Sequence, residues 1–287
     1  MPARRKPLLP IYYLLLLLGL YLPIGILFLF SVNAGVVFAF PIKGLTTHWY
    51  QDMLRNAELL QALRNSVYVA VGSSLAATAL GTFASIALVR FNFKGKEQFI
   101  ALALLPLLVP FIILGVALLI FFAALGIQRS LWTVGVAHTV VSLPYTLLVV
   151  MARMVGFDKH LEEAAQDLGA TYPYILRRVI LPLIAPAALA AWLVAFTVSF
   201  DEFVLASFLI GRKPTLPVYR FGQLRFANRF PQVLALAMLV MVGSLSLVLL
   251  AEWLRRRGGE AEFSADPKGF DKPFGSYPGE EWRMVNE

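Results

Sequence analysis

The sequence predicts an all-α integral membrane protein with six transmembrane helices. Hydrophobic residues make up 59% of the 287 residues and charged residues 15%, and the mean hydropathy is +0.73, which is typical of membrane proteins. The charged residues leave six long gaps, and each gap can hold the roughly 20 apolar residues that cross a bilayer. The predicted spans are 9–32, 64–89, 98–124, 131–154, 182–210 and 231–254.

The first span follows Arg4, Arg5 and Lys6, as the core of a signal peptide would. Its apolar stretch is longer than the roughly 7–15 residues of such a core, so we expect it to remain as a membrane anchor. Cytoplasmic loops of membrane proteins are enriched in Lys and Arg, and this rule favours a cytoplasmic N-terminus here by a small margin. Because six is an even number, the C-terminus would lie on the same side.

Three regions follow from this topology. Residues 1–8 form a cytoplasmic N-terminus, and residues 9–257 form the six-span domain. Residues 258–287 are rich in Gly, Pro and charge, so we expect an irregular cytoplasmic tail.

The composition also argues against several functions. The net charge of +8 comes from basic residues that are scattered over the loops, which disfavours nucleic-acid binding. The chain has no cysteine, so it has no disulfide and no thiolate metal site. His48, His138 and His160 lie in separate segments and offer no catalytic or metal-binding constellation. We therefore predict neither an enzyme nor a metal site.

The loop 158–182 between spans 4 and 5 has helical periodicity. Gly169 can end a first helix in the left-handed conformation, Thr171 can cap a second, and Pro173 is tolerated in the first turn of that helix. One face is apolar (Leu161, Ala164, Ala165, Leu168, Tyr172, Ile175, Leu176, Val179), and the other is mostly polar (Asp158, Glu162, Glu163, Gln166, Asp167, Arg177, Arg178). An amphipathic helix lying on lipid is the alternative, but an acidic polar face is unsuited to anionic headgroups.

The same loop carries a family resemblance. Glu163-Ala164-Ala165, then Gly169, then Leu181-Pro182 match the signature loop of permease subunits of ATP-binding-cassette (ABC) importers, with Val179 where isoleucine is usual. The resemblance implies the type I ABC importer (MetI-like) permease fold. It also implies that this loop is a cytoplasmic coupling helix that docks on an ATPase.

The resemblance implies a set of partners and a location in the bacterial inner membrane. No GxxxxGK[ST] phosphate-binding loop occurs in the chain. Two partner ATPase subunits would therefore bind ATP and Mg²⁺, and this chain would bind no cofactor. A second permease chain, expected to be a paralogue, would complete the pathway within membrane lipid. A periplasmic or extracellular binding protein would deliver substrate.

Further motifs are similar to the spermidine/putrescine permease subgroup, which implies polyamines or similar small cationic solutes as substrate. They are His48-Trp49-Tyr50, Leu59-Leu60-Gln61 with Asn65-Ser66, Arg90-Phe91 with Phe93–Lys96, and Ser199–Val204 with Ser207-Phe208. Importers of opines, aminophosphonates or amino-acid-like solutes share several of these features and remain alternatives. An ion-gradient-driven transporter is a further alternative, but the sequence shows no internal repeat of the kind such proteins usually have.

Asp201 and Glu202 are the candidate substrate-path residues. They are predicted near the outer end of span 5, where ionisable residues usually face a cavity or a partner. They could line the path of a cation, pair with Arg212 or Lys213, or be hydrated at the interface. Neighbouring residues on a helix cannot both face the pore.

The outer loop 212–229 argues against a cationic substrate. It carries five basic residues and no acidic one, and this positive charge would repel a cation. It could dock an acidic face of the binding protein, be solvated near headgroups, or attract an anionic substrate. Within the spans, Pro106, Pro110, Pro144 and Pro186 predict kinks. His138 is alone in span 4, which favours a satisfied interior histidine over a proton relay or a metal ligand.

Overall fold

The computed structural model describes residues 8–36, 39–156, 158–243 and 245–246, and these are nearly all helical. The N-terminal segment before residue 8, the end of the sixth predicted span and the tail 258–287 lie outside the described residues. The helices are α1 (Leu8–Ser31), α2 (His48–Arg55), α3 (Ala57–Arg90), α4 (Lys96–Leu108), α5 (Phe111–Ala124), α6 (Leu131–Val155), α7 (His160–Asp167), α8 (Tyr172–Ile175), α9 (Leu181–Asp201), α10 (Val204–Leu209), α11 (Leu216–Gln223) and α12 (Phe230–Gly243).

The chain forms two compact units. Within the described residues, one unit holds α1 and most of α12. The other, Val32–Val233, holds the remaining helices and all the candidate site residues. In the first unit, α1 is apolar along its 24 residues and spans about 36 Å at 1.5 Å per residue, enough to cross a bilayer.

Four helical stretches of the described chain are long and apolar enough to cross a membrane. They are Pro10–Ser31, Ala57–Arg90, Leu131–Val155 and Tyr172–Asp201, at the positions of predicted spans 1, 2, 4 and 5. Helix α12 lies at the start of predicted span 6, whose end is outside the described residues. The all-α membrane class is confirmed, and the count of six spans stays a prediction.

The predicted span 98–124 is broken into two helices, at the position where Pro110 predicts a kink. Helices α4 and α5 are bent by 109° at a short break that contains Val109 and Pro110. Proline has no backbone N–H to donate and disfavours the helical conformation of the preceding residue. Val109 is accordingly extended, with φ −87° and ψ 126°.

The predicted span 182–210 is also interrupted. Helix α9 ends at Asp201, Glu202 is extended with φ −70° and ψ 120°, and α10 begins at Val204. The Glu202 carboxylate accepts hydrogen bonds from the backbone N–H groups of Leu205 and Ala206 at 2.9 and 3.0 Å. A side chain that satisfies the free N–H groups of a first turn favours a new helix start at this point.

Helices α3 and α6 run parallel to each other. Near their C-terminal ends, Ile86 and Met154 belong to one buried apolar cluster. Near their N-terminal ends, Val69 and Val134 belong to another, which also includes Phe122 of α5. When two helices are parallel, the chain must run back along them before the second one can begin. Helices α4 and α5 form this return, from Arg90 at the end of α3 to Leu131 at the start of α6.

Helix α9 runs antiparallel to α3. Its N-terminal residue Ile184 lies in the cluster with Ile86, whereas Ser199 near its C-terminus contacts Ser73. Helices α3, α6 and α9 pack on one another and form the core of this unit. The loop 158–182 therefore lies at one end of this core, and Asp201 lies at the opposite end of α9.

Candidate functional site

The loop between α6 and α9 folds as two short helices, as predicted. Helix α7 ends before Gly169, which has a left-handed φ of +82°, and α8 begins at Tyr172. A π-helical stretch, Leu176–Ile180, then leads into α9. Thr171 occupies the position before α8 but its side chain makes no capping hydrogen bond, so the predicted cap is wrong. We call residues 158–182 the coupling segment.

The coupling segment presents part of the signature motif outward. Glu163, Ala164, Gly169 and Pro182 are exposed, and the Leu168 side chain is 90% exposed. The remaining motif residues, Ala165 and Leu181, pack inward against the buried cluster at the ends of α3, α6 and α9.

Burial on α7 does not follow the two faces of the helical wheel. Glu162 belongs to the polar face, but its carboxylate is buried and contacts Arg90, with Nε and Oε1 2.6 Å apart. Leu161 and Ala164 belong to the apolar face, yet both are exposed, with Leu161 at 50%. A buried charge needs a buried partner, and the sequence alone does not show that α7 lies against the end of α3.

The start of α7 is held by an exposed polar pair. Asp158 accepts hydrogen bonds from the backbone N–H of His160 at 3.0 Å and from its Nδ1 at 2.6 Å. The side-chain hydrogen bond raises the pKa of His160, and the backbone hydrogen bond lowers the pKa of Asp158. The negative charge of Asp158 near the helix N-terminus also favours this conformation.

The two predicted path residues lie in different environments. Asp201 is exposed, whereas Glu202 is 7% exposed and Oε2 of its carboxylate lies 3.2 Å from Nε2 of His138. Of the alternatives for Glu202, pairing with Arg212 or Lys213 is not seen among the described contacts, since its carboxylate faces His138. Of the two carboxylates, only that of Asp201 is available to a solute.

His138 is not isolated, because it joins a buried polar network across three helices. Its Nδ1 lies 2.8 Å from Oγ of Ser199, and that oxygen lies 2.8 Å from Oγ of Ser73. With Glu202, these side chains link α3, α6, α9 and the start of α10. In the sequence these side chains lie in three separate predicted spans, and only the packing of the spans brings them together.

The basic residues at the far end are also brought together. Gly211 passes so close to the turn before α6 that a Cβ atom there would lie 2.5 Å from the carbonyl oxygen of Arg129. This approach places Arg129 and Arg212 on one cleft of about 950 Å³, which is also lined by Ser207. The cleft lies at the same end of the core as Asp201.

These features define a helical membrane protein with an exposed two-helix segment between two of its long apolar helices. The chain belongs to the family described as "Binding-protein-dependent transport system inner membrane component", whose model matches residues 77–258. Among its relatives is the spermidine/putrescine transport system permease protein PotC of Haemophilus influenzae, 37% identical over 83% of this chain and 92% of that protein. The PotC protein of Escherichia coli K12 is 37% identical over 83% of this chain and 89% of that protein.

A putrescine transport system permease protein of E. coli K12, PotI, is 34% identical over 88% of this chain and 92% of that protein. Two solved transporters share the fold. A bacterial ABC transporter involved in the import of the acidic polysaccharide alginate gives a TM-score of 0.68, with 16% identity over 87% of this chain and 93% of that chain. The methionine ABC transporter MetNI, in an inward-facing form, gives a TM-score of 0.56. The two chains are 18% identical over 74% of this chain and 99% of that chain. The resemblance to ABC importer permeases is therefore confirmed.

Proposed function

We propose that this chain is the transmembrane permease subunit of an ATP-driven, binding-protein-dependent importer of polyamines. The single observation that carries the coupling role is the exposed face of the coupling segment, where Glu163, Ala164 and Leu168 surround the left-handed turn at Gly169. A partner ATPase subunit would dock there. Two such ATPases would bind ATP and Mg²⁺, and a second, paralogous permease chain would complete the path.

The topology of the proposal places the coupling segment and both termini in the cytoplasm. Asp201 and the basic cleft then lie at the outer end of the core, where substrate enters. This orientation agrees with the excess of basic residues in the inner loops.

Polyamines are supported by the names of the relatives and by Asp201. An exposed carboxylate beside the end of a span can bind an ammonium group through a charge-assisted hydrogen bond. Glu202 would act indirectly, since it holds the break after α9 and thereby fixes the position of its neighbour.

The cleft beside Arg129 and Arg212 fits an acidic face of the binding protein. Complementary charges speed the encounter of two proteins and fix their orientation. Residues 212–229 add basic side chains around the same entrance. Docking of an acidic protein would neutralise this positive potential and so remove the repulsion that a polyamine meets there.

The same cleft supports a second candidate, an importer of the same class for an anionic solute. In that case Arg129 and Arg212 would attract the solute itself. The two candidates differ in which solute a wild-type importer accumulates. To distinguish them, uptake of labelled spermidine is measured in the presence of unlabelled cations or unlabelled anions as competitors.

The coupling role is tested by Gly169→Asp. No atom lies within 4 Å of a Cβ at this position, so the side chain has room. The left-handed φ strains any L side chain there, as it does at the control position below, and the aspartate also adds a charge to the docking surface. We expect uptake to be abolished and recovery of the ATPase with the purified permease to fall, while the amount of permease in the membrane is unchanged.

The matched control is Gly126→Asp. Gly126 also has a left-handed φ, +70°, and open surroundings, but it follows α5 at the other end of the core. We expect this variant to retain ATPase recovery. Normal uptake by Gly169→Asp would contradict the proposed coupling role.

A further inference from the structure

We propose that α3 transmits the displacement of the coupling segment to the outer end of the core, and that the Arg90–Glu162 ion pair is its point of attachment. The inference rests on the proposed function, because it assumes that an ATPase moves the coupling segment. It assigns a positioning role to two residues that the signature motif does not include.

The ion pair joins the last residue of α3 to the first turn of α7. Nε of Arg90 lies 2.6 Å from Oε1 of Glu162, and the two side chains are only 7% and 10% exposed. Charges removed from water in this way hold each other firmly, because separating them leaves a buried charge uncompensated. Glu162 is therefore fixed to α3, whereas the next residue, Glu163, faces outward.

A second contact joins the end of α3 to the part of the coupling segment that follows the turn at Gly169. The ring of Phe91 meets that of Tyr172 edge to face, with centroids 5.6 Å apart and planes at 69°. The end of α3 thus contacts the coupling segment on both sides of the turn. Movement of either short helix would be passed to α3.

Helix α3 is suited to carry such a movement because it is continuous. It has 34 residues and no proline, so it is about 50 Å long, whereas α4, α6 and α9 each contain a proline. Midway along α3, Oγ of Ser73 contacts Oγ of Ser199 at 2.8 Å. The helix therefore also touches the network that holds Glu202.

The far end of α3 is bonded to the basic outer segment. Nδ2 of Asn65 donates to the carbonyl oxygen of Pro214 at 2.9 Å, and Oγ of Ser66 accepts from the N–H of Leu216 at 2.7 Å. Asn56, which precedes α3, donates to the hydroxyl of Tyr219 at 3.1 Å. A displacement of α3 would therefore move residues 214–219, beside the basic cleft.

Charge reversal tests the attachment in the assembled importer, with binding protein present. We expect Glu162→Arg to lower spermidine uptake about tenfold, because it sets two positive groups against each other in a buried site. The ATPase should still be recovered with the permease, since the outward face is unchanged. Each ATP hydrolysed should then support less uptake. The double variant Arg90→Glu with Glu162→Arg should restore uptake, as expected of two directly coupled residues.

The matched control is Arg153→Glu, which reverses an exposed charge in the last turn of α6. It should leave uptake near the wild-type value. Normal uptake by Glu162→Arg, or no recovery in the double variant, overturns the inference. Loss of ATPase recovery in Glu162→Arg also overturns it, because it would place Glu162 in the docking surface.

If Glu162→Arg does not accumulate in the membrane, a cysteine pair provides the test. The chain has no cysteine, so Arg90→Cys with Glu162→Cys introduces the only two thiols. A short, reducible thiol-bridging reagent should restore uptake, and a reductant should remove it again. No restoration overturns the inference. If the wild-type chain recovers no ATPase at all, the proposed function fails instead.

Discussion

The end of α9 carries two carboxylates with different tasks. Glu202 accepts two backbone hydrogen bonds and contacts His138, so it holds the break between α9 and α10. Asp201 has no such structural role in the contacts described here and is exposed. At the scale of single residues, the structural role and the proposed substrate contact therefore belong to adjacent positions.

A paired substitution separates these two tasks. Glu202→Gln removes the charge that faces His138 and points an N–H₂ group at backbone N–H donors, so we expect the unfolding free energy to fall by about 1–3 kcal/mol. Asp201→Asn should leave stability unchanged and raise the KM for spermidine uptake about tenfold, equivalent to ~1.4 kcal/mol of binding. Thermal unfolding of the purified permease and initial uptake rates measure the two effects.

Each variant is the control for the other. A stable Glu202→Gln protein would show that the buried network does not hold the break. An Asp201→Asn importer with unchanged KM would remove Asp201 from the substrate path and leave the coupling role untouched.

At the scale of the helices, the core depends on the close approach of α3 and α6. A Cβ on Gly81 would lie 2.9 Å from the backbone N of Leu147, so any side chain there forces the helices apart. Oγ of Ser85 donates to the carbonyl oxygen of Leu147 at 2.9 Å, which such a shift would break. Small residues at helix interfaces permit this packing in membranes.

Gly81→Ala should therefore destabilise the permease by about 1–3 kcal/mol, as overpacked cores do. Gly72→Ala in the same helix is the matched control, since no atom lies within 4 Å of a Cβ there. Alanine favours a helix more than glycine, by about 1 kcal/mol, so the control should be neutral or slightly more stable. Equal unfolding temperatures for the two variants would contradict the close approach.

At the scale of the whole molecule, the parallel arrangement of α3 and α6 decides the topology. Because both run in the same direction, the bent pair α4 and α5 must carry the chain across the membrane once. A pair that entered and left on the same side would bring α6 back antiparallel to α3. The 109° bend alone permits either path.

The cysteine-free chain allows this to be measured directly. We expect Gln128→Cys, after α5, to react with a membrane-impermeant maleimide in intact spheroplasts. Asn92→Cys, before α4, should react only after permeabilisation. Both positions are exposed in the structure, so a lack of reaction reports the side of the membrane. Labelling of both in intact spheroplasts would contradict the single crossing and the proposed orientation.

The sequence by itself determined the membrane class, the positions of the long spans and the two-helix coupling segment with its turn at Gly169. These features are local, because runs of apolar residues, helical periodicity and a left-handed glycine are all read along the chain. The packing of helices decided the rest. The side-chain partners of Glu162, Glu202 and His138 lie more than 60 residues away in the sequence. Only tertiary contacts therefore show that these side chains are buried, and that Glu163 and Asp201 beside them are left exposed.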